Sequence, residues 1–154
     1  MARTVEVLGD QWTVLVLRDV FNGIRRFDDL KSHLGIARDV LTKRLAALVN
    51  HGVLERVPYR EPGSRTRHEY RLTPAGRDLR PVLLALLEWG DRYRAEAIGP
   101  PVTVVHDECG AQVHVTVECE QGHPIEPRTR LRLQPGPGAR PIGRPAVTAA
   151  RAAT

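Results

Sequence analysis

Arginines are the residues most obviously placed to do chemistry in this sequence. Arg56, Arg60, Arg65, Arg67 and Arg71 share one short stretch, interrupted by only two acids, Glu61 and Glu69. A guanidinium carries a planar fork of donors that matches a phosphate, so such a row suits backbone neutralisation and insertion into a narrow groove. A second set lies upstream. Arg38, Asp39, Thr42 and Lys43 mix a cation, an acid and a hydroxyl over less than two helical turns, and Arg44 flanks them. That mixture can address base edges, with Arg44 suited to a phosphate. Composition weighs against reading too much into either set. All but two of the 23 cationic side chains are arginine, the exceptions being Lys31 and Lys43. A charged helix face is also what any solvated helix presents.

A third set carries sulfur and imidazole. His106-x-x-Cys109 and Cys119-x-x-x-His123 have spacings compatible with a Cys2His2 zinc site at the two ends of a hairpin. Two other readings stay open: small apolar cysteines beside surface histidines, or a Cys109–Cys119 disulfide. Catalytic patterns are missing. The sequence has no G-x-x-x-x-G-K-S/T phosphate loop, no G-x-G-x-x-G and no H-E-x-x-H. Ser32 and Ser64 lie in no nucleophile motif. A non-enzymatic role is expected.

These residues must be held by a scaffold, and the 154-residue chain is long enough to bury a core without disulfides or metals. No apolar run could span a membrane, and no signal-peptide core opens the sequence. A cytoplasmic location is expected. The net charge of +5 divides unevenly along the chain, as +4 on residues 1–98, −5 on 99–127 and +6 on 128–154. Gly99-Pro100-Pro101 cannot continue a helix and marks a boundary. From Gln134 the chain turns to Gly, Pro, Ala and Arg with little to bury. The expected organisation is a domain over 1–98, a small β-rich extension over 99–133 and a disordered tail over 134–154.

Within the first domain, Leu8, Trp12, Leu15, Val16 and Val20 follow helical steps and predict one amphipathic helix. Asp28 is expected to cap a short helix ending near Leu34. Leu41, Leu45, Leu48 and Val49 predict a helix over 37–50, closed at His51-Gly52. Residues 53–60 and 66–72 flank Glu61-Pro62-Gly63-Ser64 and predict a hairpin. Thr73-Pro74 opens a long helix over 74–98, kinked at Pro81. Further on, Val113–Cys119, residues 128–133 and Val102–Val105 predict a three-stranded antiparallel sheet. The order helix, short helix, turn, helix, arginine-bearing hairpin, long helix is that of a winged helix-turn-helix. The fold class is therefore mainly α with a β-wing (α+β) and a small C-terminal antiparallel β extension. A helix fits the major groove of duplex DNA while the wing lies on the adjacent backbone.

The residues also resemble a family. Val7-Leu8-Gly9-Asp10-Gln11-Trp12-Thr13-Val14-Leu15-Val16-Leu17-Arg18 is similar to the first-helix signature of HxlR-type regulators. Arg26-Phe27-Asp28-Asp29-Leu30 is similar to the family's short strand and second helix. Val40-Leu41-Thr42-Lys43-Arg44-Leu45 and Gly52-Val53-Leu54 resemble its recognition helix and exit. Tyr70-Arg71-Leu72-Thr73-Pro74-Ala75-Gly76 and Trp89-Gly90 resemble its wing strand and dimer helix. The resemblance covers residues 4–93. It implies a bacterial, cytoplasmic homodimer that binds a palindromic operator in double-stranded DNA. Redox-sensing members carry a cysteine before the first helix, whereas no cysteine here precedes Cys109.

The expected site is then Arg38, Asp39, Thr42, Lys43 and Arg44 in the groove, with Arg60, Arg65 and Arg67 on the backbone. Trp12, Leu83, Leu86, Trp89 and Tyr93 are expected at the dimer contact. A repressor responding to a small-molecule effector is the leading expectation. The alternatives are a winged-helix protein-interaction module and a metal or small-molecule sensor with input through the C-terminal β extension.

Overall fold

Asp10 sets where the main helical scaffold begins. Its carboxylate accepts from the N–H groups of Trp12 (3.0 Å) and Thr13 (3.3 Å), the arrangement of a helix cap. The apolar period from Leu8 to Val20 is consequently two helices rather than the single one expected: α1 (Ala2–Leu8) and α2 (Gln11–Phe21), parted at Gly9-Asp10. The computed structural model describes residues 1–61, 63 and 65–139.

Helices α3 (Phe27–Leu34) and α4 (Arg38–Asn50) come next, joined through Gly35 in the left-handed conformation (φ 61°). Asp28 does not cap α3. The capping position is Arg26, without a side-chain bond, and Asp28 and Asp29 lie inside the first turn, where they meet the positive end of the helix dipole. The core is one apolar cluster. Val16, Leu17 and Val20 of α2 meet Leu30, Ile36, Leu41, Leu45, Leu48, Val53 and Leu54.

One charge lies inside this scaffold. Asp19 is fully buried, and an unpaired carboxylate there would cost several kcal/mol. Its Oδ1 takes the Arg18 guanidinium through Nε (2.9 Å) and Nη2 (2.8 Å), and its Oδ2 lies 2.6 Å from His33 Nδ1. Asp19 thereby ties α2 to α3.

The chain leaves α4 at Gly52 (φ 67°) and forms the wing. Strands β1 (Leu54–Tyr59) and β2 (Arg67–Leu72) pair antiparallel, from Leu54↔Leu72 to Tyr59↔Arg67. Tyr70 and Leu72 pack against the core. A third segment joins them: Arg26 bridges Glu69, and the Tyr70 N–H donates to the Arg25 carbonyl at 2.8 Å.

The long helix expected over 74–98 is two helices, α5 (Pro74–Arg77) and α6 (Arg80–Arg94). Thr73 caps α5, accepting from the Gly76 N–H at 3.1 Å. Pro81 lies in the first turn of α6, where no N–H is required, so it begins a helix instead of kinking one. Helix α6 ends at Arg94, and Ala95 is extended.

The chain divides into two compact units, Met1–Val115 and a second beginning at Thr116. Pro100-Pro101 falls within the first. The expected three-stranded sheet is absent among the described residues. Each unit instead has its own tight hairpin. One is bridged at Val105↔Gln112 with Gly110 at φ 68°, the other at Glu118↔Pro124 with Gly122 at φ 75°. The alternating run from Val113 to Cys119 is split between these hairpins, and residues 128–133 pair with neither as strand. The tail is irregular from Gln134 to Ala139, and residues 140–154 lie outside the described residues.

Gly76 makes the tightest junction between the wing and α5. A Cβ at this position would meet the Val53 carbonyl oxygen, and the Leu72 side chain would lie only 3.2 Å away. Gly76→Ala is expected to lower stability by about 1–3 kcal/mol, the usual range for overpacking. Urea denaturation checks this; an unchanged midpoint would contradict the close approach.

Candidate nucleic-acid interface

The exposed face of α4 is set by its buried one. Leu41, Leu45 and Leu48 are buried, so Arg38, Asp39, Thr42, Lys43, Ala46 and Asn50 are left outside. The Thr42 hydroxyl donates to the Arg38 carbonyl at 2.8 Å, which fixes its rotamer and leaves its lone pairs outward. Arg38 lies over the Phe27 ring, 5.1 Å from its centroid, so its guanidinium is held at the start of α4.

Arg44 lies on a different side. Its Nη2 is 3.0 Å from Asp10 Oδ2, and its side chain is only about a third exposed. It pins α4 to the start of α2 instead of standing open beside the exposed face, where a phosphate contact was expected. Asp10 therefore does two things, capping α2 with one oxygen and pairing Arg44 with the other.

On the wing, Arg60, Arg65 and Arg67 are exposed. Neither Arg65 nor Arg67 has an acidic partner among the described residues. Arg71 is taken by Glu69 of its own strand through Nε at 2.6 Å. Arg56 Nη2 lies 3.2 Å from His68 Nδ1 on the facing strand.

Between the wing and the starts of α3 and α4 lies a cleft of about 400 Å³, lined by Arg26, Phe27, Arg38, Arg56, Tyr59, Arg67, His68 and Tyr70 with Asp28 and Asp29. It joins the exposed face of α4 to the arginines of the wing. Arg26 is central to it. Its guanidinium lies 4.5 Å from the Tyr59 ring centroid and 2.8 Å from Glu61 Oε1. Tyr59 first, and then Glu61, raise its already high pKa, so it stays cationic. Arg26, Tyr59 and His68 were missed as site residues by sequence reasoning, and Arg56 was read only as one of the wing's arginine row. Their signal is a tertiary one, since it is the Arg26–Glu69 bridge and the Tyr70–Arg25 backbone bond that bring the segment before α3 alongside the wing.

The expected dimer residues separate into two groups. Trp12 and Leu83 pack partly buried against the core. Leu86, Trp89 and Tyr93 are 51%, 56% and 62% exposed on α6, joined by Val82.

The sulfur and imidazole residues form two local pairs. His106 Nδ1 is 3.3 Å from Cys109 Sγ in the first unit, and Cys119 Sγ is 3.5 Å from His123 Nδ1 in the second. Each pair closes on a glycine turn, with Gly110 N–H bonded to the His106 carbonyl and Gly122 N–H to that of Cys119. Both cysteines are free thiols. Each unit by itself supplies two of the four donors that zinc takes, and no cluster of three or more such ligands occurs among the described residues.

A family model described as HxlR-like helix-turn-helix matches residues 7–97. The chain belongs to that family. Rv3095 of Mycobacterium tuberculosis, described as an uncharacterized HTH-type transcriptional regulator, is 42% identical over 139 residues, covering 90% of this chain and 86% of that protein. A Synechocystis regulator with the same description, sll1512, is 41% identical over 90 residues, covering 58% of this chain and 65% of its own. Among solved structures, PA1607, described as a candidate transcription factor, is 38% identical with a TM-score of 0.75 over 86% of this chain and 93% of that one. The redox regulator HypR in its reduced form is 30% identical with a TM-score of 0.55, over 60% and 91%. This HxlR-like protein is accordingly a transcriptional regulator with a winged helix-turn-helix, which is not an enzyme class. Among the described residues no helix is long and apolar enough to cross a membrane.

The double use of Asp10 is open to test. Asp10→Ala removes both the cap and the Arg44 partner and is expected to cost about 1–2 kcal/mol. Asp10→Asn keeps a capping oxygen and should cost clearly less in the same denaturation experiment. Equal losses would mean that the cap contributes nothing.

Proposed function

We propose that this HxlR-like protein is a cytoplasmic homodimer that represses transcription by occupying a palindromic operator, and that it answers to a small-molecule effector. The observation that carries the DNA reading is continuity: the exposed face of α4 meets the arginine-lined cleft at Arg38, and the cleft reaches Arg56 and Arg67 of the wing. In this reading Arg38, Asp39, Thr42 and Lys43 meet base edges in the major groove, and Arg60, Arg65 and Arg67 meet phosphates. Arg44 acts from the scaffold side by orienting α4. A protein-interaction module would instead favour apolar groups on these faces, and none of these seven groove and wing residues is apolar.

The dimer is supported by α6, which buries no residue and presents Val82, Leu86, Trp89 and Tyr93 outward. A contiguous apolar face of this kind on a soluble chain marks an association surface. A twofold pair places two α4 helices on half-sites about 34–36 Å apart. The effector is supported by a cleft of about 190 Å³ between α6 and the first hairpin, lined by Leu84, Leu87, Val104 and Val113 with Glu88, Asp91 and His114. A ligand there that favoured one placement of α6 would shift DNA affinity by its differential binding.

Two experiments test these contacts. In duplex-binding assays, Arg65→Ala with Arg67→Ala should weaken binding to every sequence and lower the log–log salt slope by about two. Lys43→Ala or Thr42→Ala should instead change which operator is preferred, each altered base contact being worth about 1–3 kcal/mol. Full operator affinity in both sets would overturn the assignment. In sedimentation equilibrium, the wild type should be dimeric and Leu86→Glu with Trp89→Glu monomeric. A wild type that sediments at the 17.2 kDa of one chain would remove the dimer.

A further inference from the structure

We propose that the cleft between the wing and the starts of α3 and α4 seats one DNA backbone phosphate on Arg26, and that Glu61 holds this arginine as an intramolecular stand-in for that phosphate until a duplex displaces it. The inference rests on the DNA-binding reading and deepens it.

Four guanidinium groups line this cleft, those of Arg26, Arg38, Arg56 and Arg67. Two of them are held by aromatic faces, Arg26 on Tyr59 and Arg38 on Phe27, so their positions are largely set before any ligand arrives. The helices that start at its edge, α3 and α4, have no side-chain cap at Arg26 or Ala37, so their first N–H groups add to the positive field. Asp28 and Asp29 offset part of this charge, but neither is paired with the cleft arginines at ion-pair distance.

Glu61 approaches from the wing loop and meets Arg26 Nη1 at 2.8 Å. Both partners are close to half exposed, at 46% and 45%. An exposed pair of this kind is weak and screened by salt. A DNA phosphate likewise offers anionic oxygens that accept from a guanidinium, and its neutralisation releases condensed counterions, so it can replace the carboxylate at little cost. The stand-in acts in two ways. Random encounters with polyanions are penalised by one carboxylate, and Arg26 is delivered already aimed.

The test compares wild type with Glu61→Gln, Arg26→Ala, the double variant, and Glu55→Gln. The last makes the same charge change on the wing, on a strand residue paired with Arg71 in the register. Binding of each to a labelled non-operator duplex and to inorganic phosphate is followed over a range of salt. Glu61→Gln should bind duplex about two- to fivefold more tightly in ~0.1 M salt. Arg26→Ala should lose about 0.9 of the salt slope. The double variant should match Arg26→Ala, and Glu55→Gln should gain less than Glu61→Gln.

Equal gains for Glu55→Gln and Glu61→Gln, or a gain that persists without Arg26, would reduce the effect to net charge and overturn the proposal. A gain for inorganic phosphate but not for duplex would overturn it in favour of a small-anion site. A wild type that binds no duplex would instead overturn the DNA reading itself, and this inference with it.

Discussion

What this protein can present to a duplex depends on one short backbone pairing. The Tyr70 N–H reaches the Arg25 carbonyl, and Arg26 bridges Glu69, so the segment before α3 becomes a third edge of the wing. A single backbone bond contributes only about 1 kcal/mol net. Its importance is geometric. A hairpin joined to the rest only through its two ends could swing, and a slip of one residue would turn Tyr70 and Leu72 out of the core. The pairing fixes the register and the distance between the wing and α4. The cleft and the placement of Arg26 are both set by it.

Charge on this scaffold is sorted by partner. Arg44 is held by Asp10, Arg71 by Glu69, Arg18 by the buried Asp19 and Arg26 by Glu61. The first of these pairs joins α4 to the start of α2, the second lies within β2 and the third within α2, while the fourth lies beside a cationic cleft. The whole-chain charge of +5 says little about this, because what matters is which guanidinium groups keep an open side.

The legible part of the fold is the part encoded over short distances. The period of Leu41, Leu45 and Leu48 marks α4, the turn residues after Arg60 mark the wing, and Thr73-Pro74 marks the start of α5. The break at Gly9-Asp10 was also local, but the apolar rhythm from Leu8 to Val20 runs across it without interruption. Other features have no local signal. Asp19 meets His33 fourteen positions away, and nothing near Arg26 announces Glu61. In the extension, alternation around Val115 signals strand composition, but a strand needs a neighbour in register, and periodicity does not supply one. The exposed face of α4 was readable as the complement of its buried face. The scaffold role of Arg44 was not, because it depends on how α2 crosses α4.

The two tryptophans occupy opposite environments. Trp12 packs against the core, whereas Trp89 stands on the outward face of α6 beside Tyr93, their rings 5.5 Å apart. An indole shifts its emission to the blue when water leaves it. Unfolding therefore acts on the light from Trp12, and any surface that covers α6 acts on the light from Trp89. The unlabelled chain carries separate optical reporters for folding and for assembly.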